Sequence, residues 1–288
     1  MRFAISLVFA ATVALALAAS AKAEHAQSSL STPDETAPDE VASKAIDSRY
    51  VAAPASLSAQ DVASLQQLLA DWAQLGRYRK ANAALSPPLA GERRVVFYGD
   101  SITEGWGAGE ALFFPGKPYV NRGVSGQTTA QMLVRFRQDV IELHPAAVVI
   151  LAGTNDLAGN TGYATLAMIE DNLRSMTELA QAHGIRVVLS SVLPVADYPW
   201  RPGVRPAAKV RTLNAWMRGY AQAHDATYID YHAAMSNAEG GLDARLAADG
   251  VHPTPAGYAV MAPLAQAALK QALGKHGATA QGADDPPH

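Results

Sequence analysis

The sequence contains no cysteine among its 288 residues, and this absence excludes several kinds of chemistry at once. Disulfides, a thiolate nucleophile, zinc sites built on sulfur and a lipoprotein anchor all require a cysteine. Charge is also scarce, because only 17% of the residues are charged and the formal net charge is −3. This balance argues against nucleic acid or an anionic membrane as a partner. What remains is an ordinary globular composition, 49% hydrophobic and sufficient for one good-sized core.

The first residues have the pattern of an export signal. Arg2 supplies a positive charge, residues 5–18 form an uncharged apolar stretch, and Ala-Lys-Ala at 21–23 gives the small-x-small pattern of a cleavage site. We therefore predict a signal peptide over residues 1–23 and a periplasmic or secreted mature protein. The apolar stretch is short for a bilayer span, so a stable membrane anchor is not expected.

Composition divides the remaining chain into a folded region and two flanking segments. Residues 24–56 are rich in Ala, Ser, Pro, Asp and Glu, and residues 275–288 read the same way. Neither segment has enough apolar surface to offset the entropy cost of ordering. We predict a flexible leader over 24–56, a folded domain over 57–274 that begins with a helix over 58–75, and a disordered tail over 275–288.

Within the folded region, short apolar runs alternate with segments of helical periodicity. The strand-like runs are 94–98, 119–121, 146–151, 185–189 and 227–230, and the helical patterns are 129–143, 169–180, 210–220 and 255–273. Continuous apolar runs of this length suit strands that are buried on both faces of a parallel sheet. The alternation predicts an α/β fold, a three-layer α/β/α sandwich with a mostly parallel, flavodoxin-like sheet of about five strands.

Four polar blocks follow predicted strands or lie near the end of the folded region. They read GDSIT at 99–103, NRGVSG at 121–126, GTND at 153–156 and DGVHP at 249–253. Ligands of parallel sheets bind just beyond the carboxyl ends of the strands. The blocks therefore predict a single site, although each of them taken alone is ordinary turn chemistry.

The residue types in these blocks fit acyl transfer. A serine hydroxyl needs a neighbouring base, and an imidazole held by a carboxylate is the usual one, which predicts Ser101 as nucleophile, His252 as base and Asp249 as its partner. An oxyanion also needs hydrogen-bond donors. The backbone N–H groups of Ser101 and Gly126 and the side-chain amide of Asn155 are the predicted donors.

Together and in this order, the four blocks resemble the SGNH branch of the GDSL-type hydrolases, and the resemblance covers nearly the whole folded region, from about residue 94 to residue 272. The resemblance implies Ser101 as nucleophile, Gly126 and Asn155 as oxyanion donors, and an Asp-x-x-His pair at Asp249 and His252. The first block has Ile where the family name has Leu. The wording GDSITEGWG, NRGVSGQTT and AGTND is similar to platelet-activating-factor acetylhydrolase-like and carbohydrate acetylesterase-like members.

Two other hydrolytic chemistries fit the sequence less well. An α/β-hydrolase would have a G-x-S-x-G elbow, with its acid and histidine far apart in the chain. Residues 123–127 read GVSGQ, which lacks the second glycine at the required place. A two-metal phosphoesterase needs several histidine and carboxylate ligands, whereas the other histidines are dispersed at His144, His183, His224 and His232. The predicted chemistry therefore requires no metal ion and no organic cofactor.

Four more side chains are candidates for substrate contact: Trp106, Arg122, Tyr198 and Trp200. Aromatic rings suit sugars and acyl chains equally, and each of these rings could instead pack beneath a loop. Arg122 could touch a polar substrate or simply form an ion pair.

The resemblance implies a serine ester hydrolase for short acyl groups, acetate above all, acting on a small-molecule or glycan ester. With no anchor, lid or basic patch predicted, we favour O-acetylated carbohydrate as the substrate. The alternatives are a lysophospholipase or thioesterase for longer acyl chains, a glycan O-acetyltransferase, and a catalytically idle glycan-binding module. The sequence leaves the oligomeric state open.

Overall fold

The computed structural model describes residues 58–274. The predicted signal peptide over 1–23, the leader over 24–56 and the tail over 275–288 lie outside the described residues. Five strands form one sheet in the order β2-β1-β3-β4-β5, and every neighbouring pair is parallel. The strands are β1 (Val95–Gly99), β2 (Tyr119–Gly123), β3 (Ala147–Leu151), β4 (Arg186–Ser190) and β5 (Thr227–Ile229). The predicted parallel sheet of five strands is confirmed.

Helices connect the strands and cover the sheet. They are α1 (Ala59–Ala70), α2 (Arg79–Ala83), α3 (Ser101–Glu104), α4 (Thr129–Asp139), a 3₁₀ turn (Ile141–Leu143), α5 (Thr154–Leu157), α6 (Leu166–Ala182), α7 (Ala207–Ala223), α8 (Tyr231–Met235) and α9 (Pro255–Gly274). The short helices α3 and α5 begin directly after β1 and β3, within the polar blocks that the sequence singles out.

Alternate side chains of the central strands enter two separate cores. Val96 and Tyr98 pack on the face that α4, α6 and α7 cover, whereas Val95 and Phe97 pack on the face that α8 and α9 cover. Because helices cover both faces, every residue of β1 and β3 is buried. This double burial explains the continuous apolar runs and makes the fold the predicted three-layer sandwich.

The first helix ends earlier than the sequence predicts. It was expected over 58–75 but stops at Ala70. The side chain of Asp71 accepts the backbone N–H groups of Leu75 at 2.7 Å and Gly76 at 2.8 Å. An aspartate that bonds the backbone in this way competes with helical hydrogen bonds, so the chain turns instead of continuing the helix.

Glycine at the carboxyl ends of the strands lets the chain fold back closely over the sheet. In the register of the sheet, Gly99 of β1 pairs with Gly123 of β2 and with Leu151 of β3. A Cβ on Gly99 would lie 2.1 Å from Thr103 Oγ1 and 2.8 Å from the carbonyl oxygen of Leu151. Only glycine therefore allows α3 to follow β1 so tightly, with its neighbours on both sides.

We expect Gly99→Ala to lower the free energy of unfolding by about 2–3 kcal/mol, because the new methyl group meets backbone that cannot move aside. The matched control is Gly219→Ala in α7, where a Cβ would meet nothing within 4 Å. That control should raise the free energy of unfolding by about 0.5–1 kcal/mol through helix propensity. Urea unfolding curves measure both variants. A Gly99→Ala variant as stable as the parent would contradict the close approach.

Candidate active site

Three side chains from opposite ends of the folded region meet in one hydrogen-bonded line. Ser101 Oγ lies 2.9 Å from His252 Nε2, although the two residues are 151 positions apart in the chain. His252 Nδ1 lies 2.6 Å from Asp249 Oδ2. Since the carboxylate can only accept, His252 donates from Nδ1, and its Nε2 is left as the acceptor that faces the serine hydroxyl. This is the geometry of a serine nucleophile with its general base.

The loop that carries Asp249 and His252 is ordered by the aspartate itself. Asp249 Oδ1 accepts the backbone N–H groups of Val251 at 2.9 Å and His252 at 2.7 Å, so Oδ2 is left for the imidazole. Partial burial alone would raise the pKa of Asp249, but the hydrogen bonds from His252 and the two backbone groups outweigh it and lower the pKa. Asp249 is therefore the ionised partner that the histidine needs.

The turn that carries Ser101 is fixed from both sides. Asp100 Oδ1 accepts the backbone N–H of Ile102 at 2.9 Å and so caps the short helix α3. The hydroxyl of Tyr258 in α9 donates to the carbonyl of Ile102 at 2.8 Å, which ties α3 to the helix that follows His252. Complete burial raises the pKa of Asp100 to about 7. Asp100 thus orders the serine turn and is not part of the hydrogen-bonded line.

Possible oxyanion donors come from the loops after β1, β2 and β3. Within residues 58–274, the backbone N–H groups of Ser101 and Gly126 donate to no protein atom. Gly126 has a φ of +77°, a conformation that favours glycine. The side-chain amide nitrogen of Asn155 donates to the carbonyl of Gln127 at 3.0 Å and to Asp100 Oδ2 at 3.2 Å. The amide nitrogen of Asn155 therefore lies between the loop after β2 and Asp100, the residue that precedes the serine.

A buried arginine that the sequence analysis passed over joins the loops of the site. Arg135 is fully buried in α4 and donates at 3.0 Å both to the carbonyl of Gly99 and to that of Arg122, at the ends of β1 and β2. It also donates from Nε to the side chain of Gln127 and pairs with Asp139 at 3.1 Å. The sequence gave no sign that this arginine is buried, because arginine side chains in amphipathic helices are usually exposed.

Asn160 is a second residue near the site that the sequence analysis missed. Its side-chain nitrogen donates to Asn155 Oδ1 at 2.7 Å and to the carbonyl of Gly126 at 3.3 Å. It therefore contacts two of the three predicted oxyanion residues. Asn160 lies five positions after Asn155, outside the block that drew attention.

Of the four predicted substrate contacts, Trp200 alone is exposed beside the catalytic line. Its side chain is 43% exposed, and its ring centroid lies 5.8 Å from that of His252. Tyr198 lies beneath it, buried, with its ring 5.1 Å away and its hydroxyl donating to the carbonyl of Thr154 at 2.9 Å. Tyr198 thus supports the Trp200 ring and is too deeply buried to touch a substrate.

Burial also corrects the prediction for Trp106 and Arg122. Trp106 is 4% exposed and stacks on Tyr258 at 5.2 Å within an aromatic cluster that includes Phe97. The guanidinium of Arg122 lies 4.7 Å above the ring of Tyr78, and its NH1 donates to the carbonyl of Asn121. Both side chains are buried against these neighbours, so neither is placed to touch a substrate.

Residues 58–274 bring together no cluster of three or more histidine, cysteine or carboxylate side chains that could hold a metal ion. In the same part of the chain, no helix is long and apolar enough to cross a membrane.

Comparison with known proteins finds a family match and a similar esterase. Residues 97–260 match the model of the GDSL-like Lipase/Acylhydrolase family. The chain is 32% identical over 177 residues to Esterase TesA of Pseudomonas aeruginosa, a match that covers 57% of this chain and 81% of that esterase. The family match covers most of the folded domain described above.

Solved structures give the same picture. A GDSL-like lipase from Bacteroides thetaiotaomicron is 46% identical, with a TM-score of 0.66 over 71% of this chain and 98% of the lipase. A catalytic mutant of Axe2, an acetylxylan esterase from Geobacillus stearothermophilus, is 23% identical, with a TM-score of 0.50 over 63% of this chain and 94% of the esterase. At that identity the likeness to Axe2 concerns the fold alone.

Proposed function

Because the chain belongs to the GDSL-like lipase/acylhydrolase family and is thus a carboxylic ester hydrolase, we propose that it removes acetyl groups from O-acetylated carbohydrate through an acyl-enzyme on Ser101. The observation that carries the proposed chemistry is the continuous line from Ser101 through His252 to Asp249, with contacts of 2.9 Å and 2.6 Å. Both contacts are within the range for a nucleophile, its base and the base's orienting partner.

The proposed reaction has two steps. Ser101 Oγ attacks the ester carbonyl while His252 Nε2 takes the hydroxyl proton, and Asp249 stabilises the imidazolium that forms. The leaving alcohol then departs with that proton, which leaves an acetyl ester on Ser101. Water attacks this ester by the reverse sequence, again with His252 as the base, and releases acetate.

The oxyanion of each tetrahedral intermediate needs donors, and three groups are candidates. The N–H groups of Ser101 and Gly126 have no protein acceptor within the described residues, so they are available to a substrate oxygen. The third donor is the Asn155 amide, whose 3.2 Å contact with Asp100 is the longer of its two donor contacts. We propose that the oxyanion takes the hydrogen of this longer contact.

The exposed Trp200 ring supports a carbohydrate as the leaving alcohol. His252 delivers its proton to the leaving oxygen, so a group beside His252 is near the alcohol part of the ester. The Trp200 ring lies there, tilted by 37° to the imidazole, and an aromatic face suits the apolar face of a sugar. The proposed export signal at residues 1–23 would bring such an enzyme to polysaccharide outside the cytoplasm.

A comparison of substrates in a Trp200 variant tests this proposal. Trp200→Leu should raise KM for acetylated xylooligosaccharides about fivefold, because a sugar loses an aromatic platform worth roughly 1 kcal/mol. The KM for ethyl acetate should stay within about twofold of the parental value, because its alcohol is too small to contact the Trp200 ring. The matched control is Trp216→Leu, on α7, which should change neither value.

Two outcomes would overturn the choice of substrate. An equal rise in KM for both esters in Trp200→Leu would remove Trp200 from alcohol recognition, whereas an equal loss of kcat would not, because the variant also lacks the N–H that bonds Asn160. A parent enzyme that hydrolyses p-nitrophenyl decanoate faster than p-nitrophenyl acetate would move the assignment to longer acyl chains and lipid or thioester substrates.

A further inference from the structure

We propose that Asn160 is a positioning residue that sets the orientation of the Asn155 amide, with Trp200 in turn orienting Asn160. The indole Nε1 of Trp200 donates to Asn160 Oδ1 at 3.2 Å, and Asn160 Nδ2 donates to Asn155 Oδ1 at 2.7 Å. The inference rests on the proposed function, because it assigns a purpose to the orientation of a group that we place at the oxyanion.

The direction of each hydrogen bond follows from groups that have only one role. An indole N–H can only donate, so Asn160 must present its oxygen to Trp200 and its NH₂ to Asn155. Asn155 must then present its oxygen to Asn160. This leaves the NH₂ of Asn155 facing away from Asn160.

The hydrogen bond at the other end of this series, between Asn155 and Gln127, requires the same orientation of the Asn155 amide. The carbonyl of Gln127 can only accept, and it receives the Asn155 amide nitrogen at 3.0 Å. Reversing the Asn155 amide would place NH₂ against NH₂ at Asn160 and oxygen against oxygen at Gln127. Trp200 and Gln127 therefore fix both amides between them, and the NH₂ of Asn155 stays on the side of the serine turn.

Asn160 is held in place before any substrate arrives. Arg201 NH1 donates to the carbonyl of Ala158 at 2.5 Å and to that of Gly159 at 2.7 Å, which joins the loop of Asn160 to the loop of Trp200. Asp197 accepts the backbone N–H of Gly203 at 2.6 Å and so closes the second loop on itself. Such preorganisation lets the oxyanion donor act without rearranging during the reaction.

A double-mutant cycle with p-nitrophenyl acetate tests whether Asn160 acts through Asn155. Asn155→Ala should lower kcat by about 10²- to 10³-fold if its amide is an oxyanion donor. Asn160→Ala should lower kcat about tenfold with KM within about twofold, since it loosens an orienting bond and leaves substrate contacts in place. The double variant should be no slower than Asn155→Ala alone. Trp200→Phe, which keeps a ring but lacks the N–H, should lower kcat by about threefold.

The aspartate variant gives a readout that a general structural role would not move. In Asn160→Asp, an ionised carboxylate can only accept and so opposes the oxygen of Asn155, whereas a protonated one can donate to it. The ratio of variant to parent kcat should therefore rise as the pH falls. The matched control pair is Asn237→Ala and Asn237→Asp, because Asn237 is a loop asparagine bonded to the backbone of Gly241 and Glu239. Both controls should keep the parental kcat at every pH.

The outcomes separate this inference from the proposed function. A double variant that loses the product of the two single effects, or a pH-independent ratio for Asn160→Asp, would overturn the positioning role while leaving the serine mechanism standing. An unchanged Asn155→Ala would overturn both the oxyanion role of Asn155 and the inference. The nucleophile itself is tested separately through Ser101.

Discussion

Replacing Ser101 by alanine is expected to lower kcat on p-nitrophenyl acetate by about 10⁶-fold, the loss seen when a serine hydrolase is deprived of its nucleophile. The methyl group leaves His252 with no hydroxyl to deprotonate, although the imidazole keeps its contact with Asp249. Any residual rate would come from the oxyanion donors and from substrate binding. The variant should fold normally, because the Ser101 side chain has no other hydrogen-bond partner among residues 58–274.

The matched control for this variant is Ser125→Ala. Ser125 lies in the neighbouring loop, next to Gly126, and its exposed side chain makes no hydrogen bond within the described part of the chain, although its backbone N–H donates to Glu104 at 2.8 Å. Its kcat should stay within about twofold of the parent, as expected for an exposed surface change. Loss of activity in Ser125→Ala combined with activity in Ser101→Ala would show that the nucleophile is Ser125 and not Ser101.

The second large effect is expected from Asp249→Asn, which should lower kcat by about 10⁴-fold without unfolding the loop. The backbone N–H groups of Val251 and His252 are fixed donors to Oδ1, so an asparagine must turn its oxygen toward them and its NH₂ toward His252. The imidazole must then accept at Nδ1 and carry its proton on Nε2. In that tautomer it cannot take the proton of Ser101.

The expected loss in Asp249→Asn comes from the wrong tautomer of His252 and not only from the lost charge of the carboxylate. Asp249→Ala is not a matched control, because it frees the imidazole to adopt either tautomer but also removes the acceptor that orders the loop. Asp243→Asn changes a neighbouring aspartate that pairs with Arg245 at 2.7 Å, and it should keep the parental kcat. An Asp249→Asn variant with more than about a tenth of the parental kcat would contradict the assigned tautomer.

The fold could be predicted from the sequence because both faces of the sheet are covered. Burial on two sides requires continuous apolar runs, and such runs predicted most of the strands. The edge strand β2 gave only the short run 119–121, because three of its five residues are only partly buried. The location of the site followed from the same topology, because the carboxyl ends of β1, β2 and β3 are adjacent in the register of the sheet. The family resemblance carried by the four blocks is confirmed by the family match over residues 97–260.

The surroundings of the site could not be predicted equally well, because they depend on which way a loop side chain turns. Trp106 and Arg122 lie close to the motif residues in sequence, yet both are buried, at 4% and 6% exposure. Asn160 is the opposite case, because it lies at the site although its loop has an ordinary composition. Only its contacts with Asn155 and Trp200 show its position. Neither the burial of Trp106 and Arg122 nor the position of Asn160 produces a periodic pattern in the sequence.

Local backbone chemistry limited the prediction of element ends. The expected helix over 58–75 fails after Ala70 because a single aspartate side chain takes two backbone N–H groups, a competition that periodicity does not register. The turn at Asp249 uses the same device. There the capture of two backbone groups by one oxygen leaves the other oxygen for His252, so the same local chemistry builds the site.

The most direct test of the central claim is to treat the protein with a fluorophosphonate, a reagent that modifies activated serines, and to locate the adduct by mass spectrometry of the digested protein. The serine mechanism predicts a single phosphonylated residue, Ser101, in the parent and in Ser125→Ala, and no adduct in Ser101→Ala. A label on any other residue, or hydrolysis of p-nitrophenyl acetate that survives in Ser101→Ala, would contradict it.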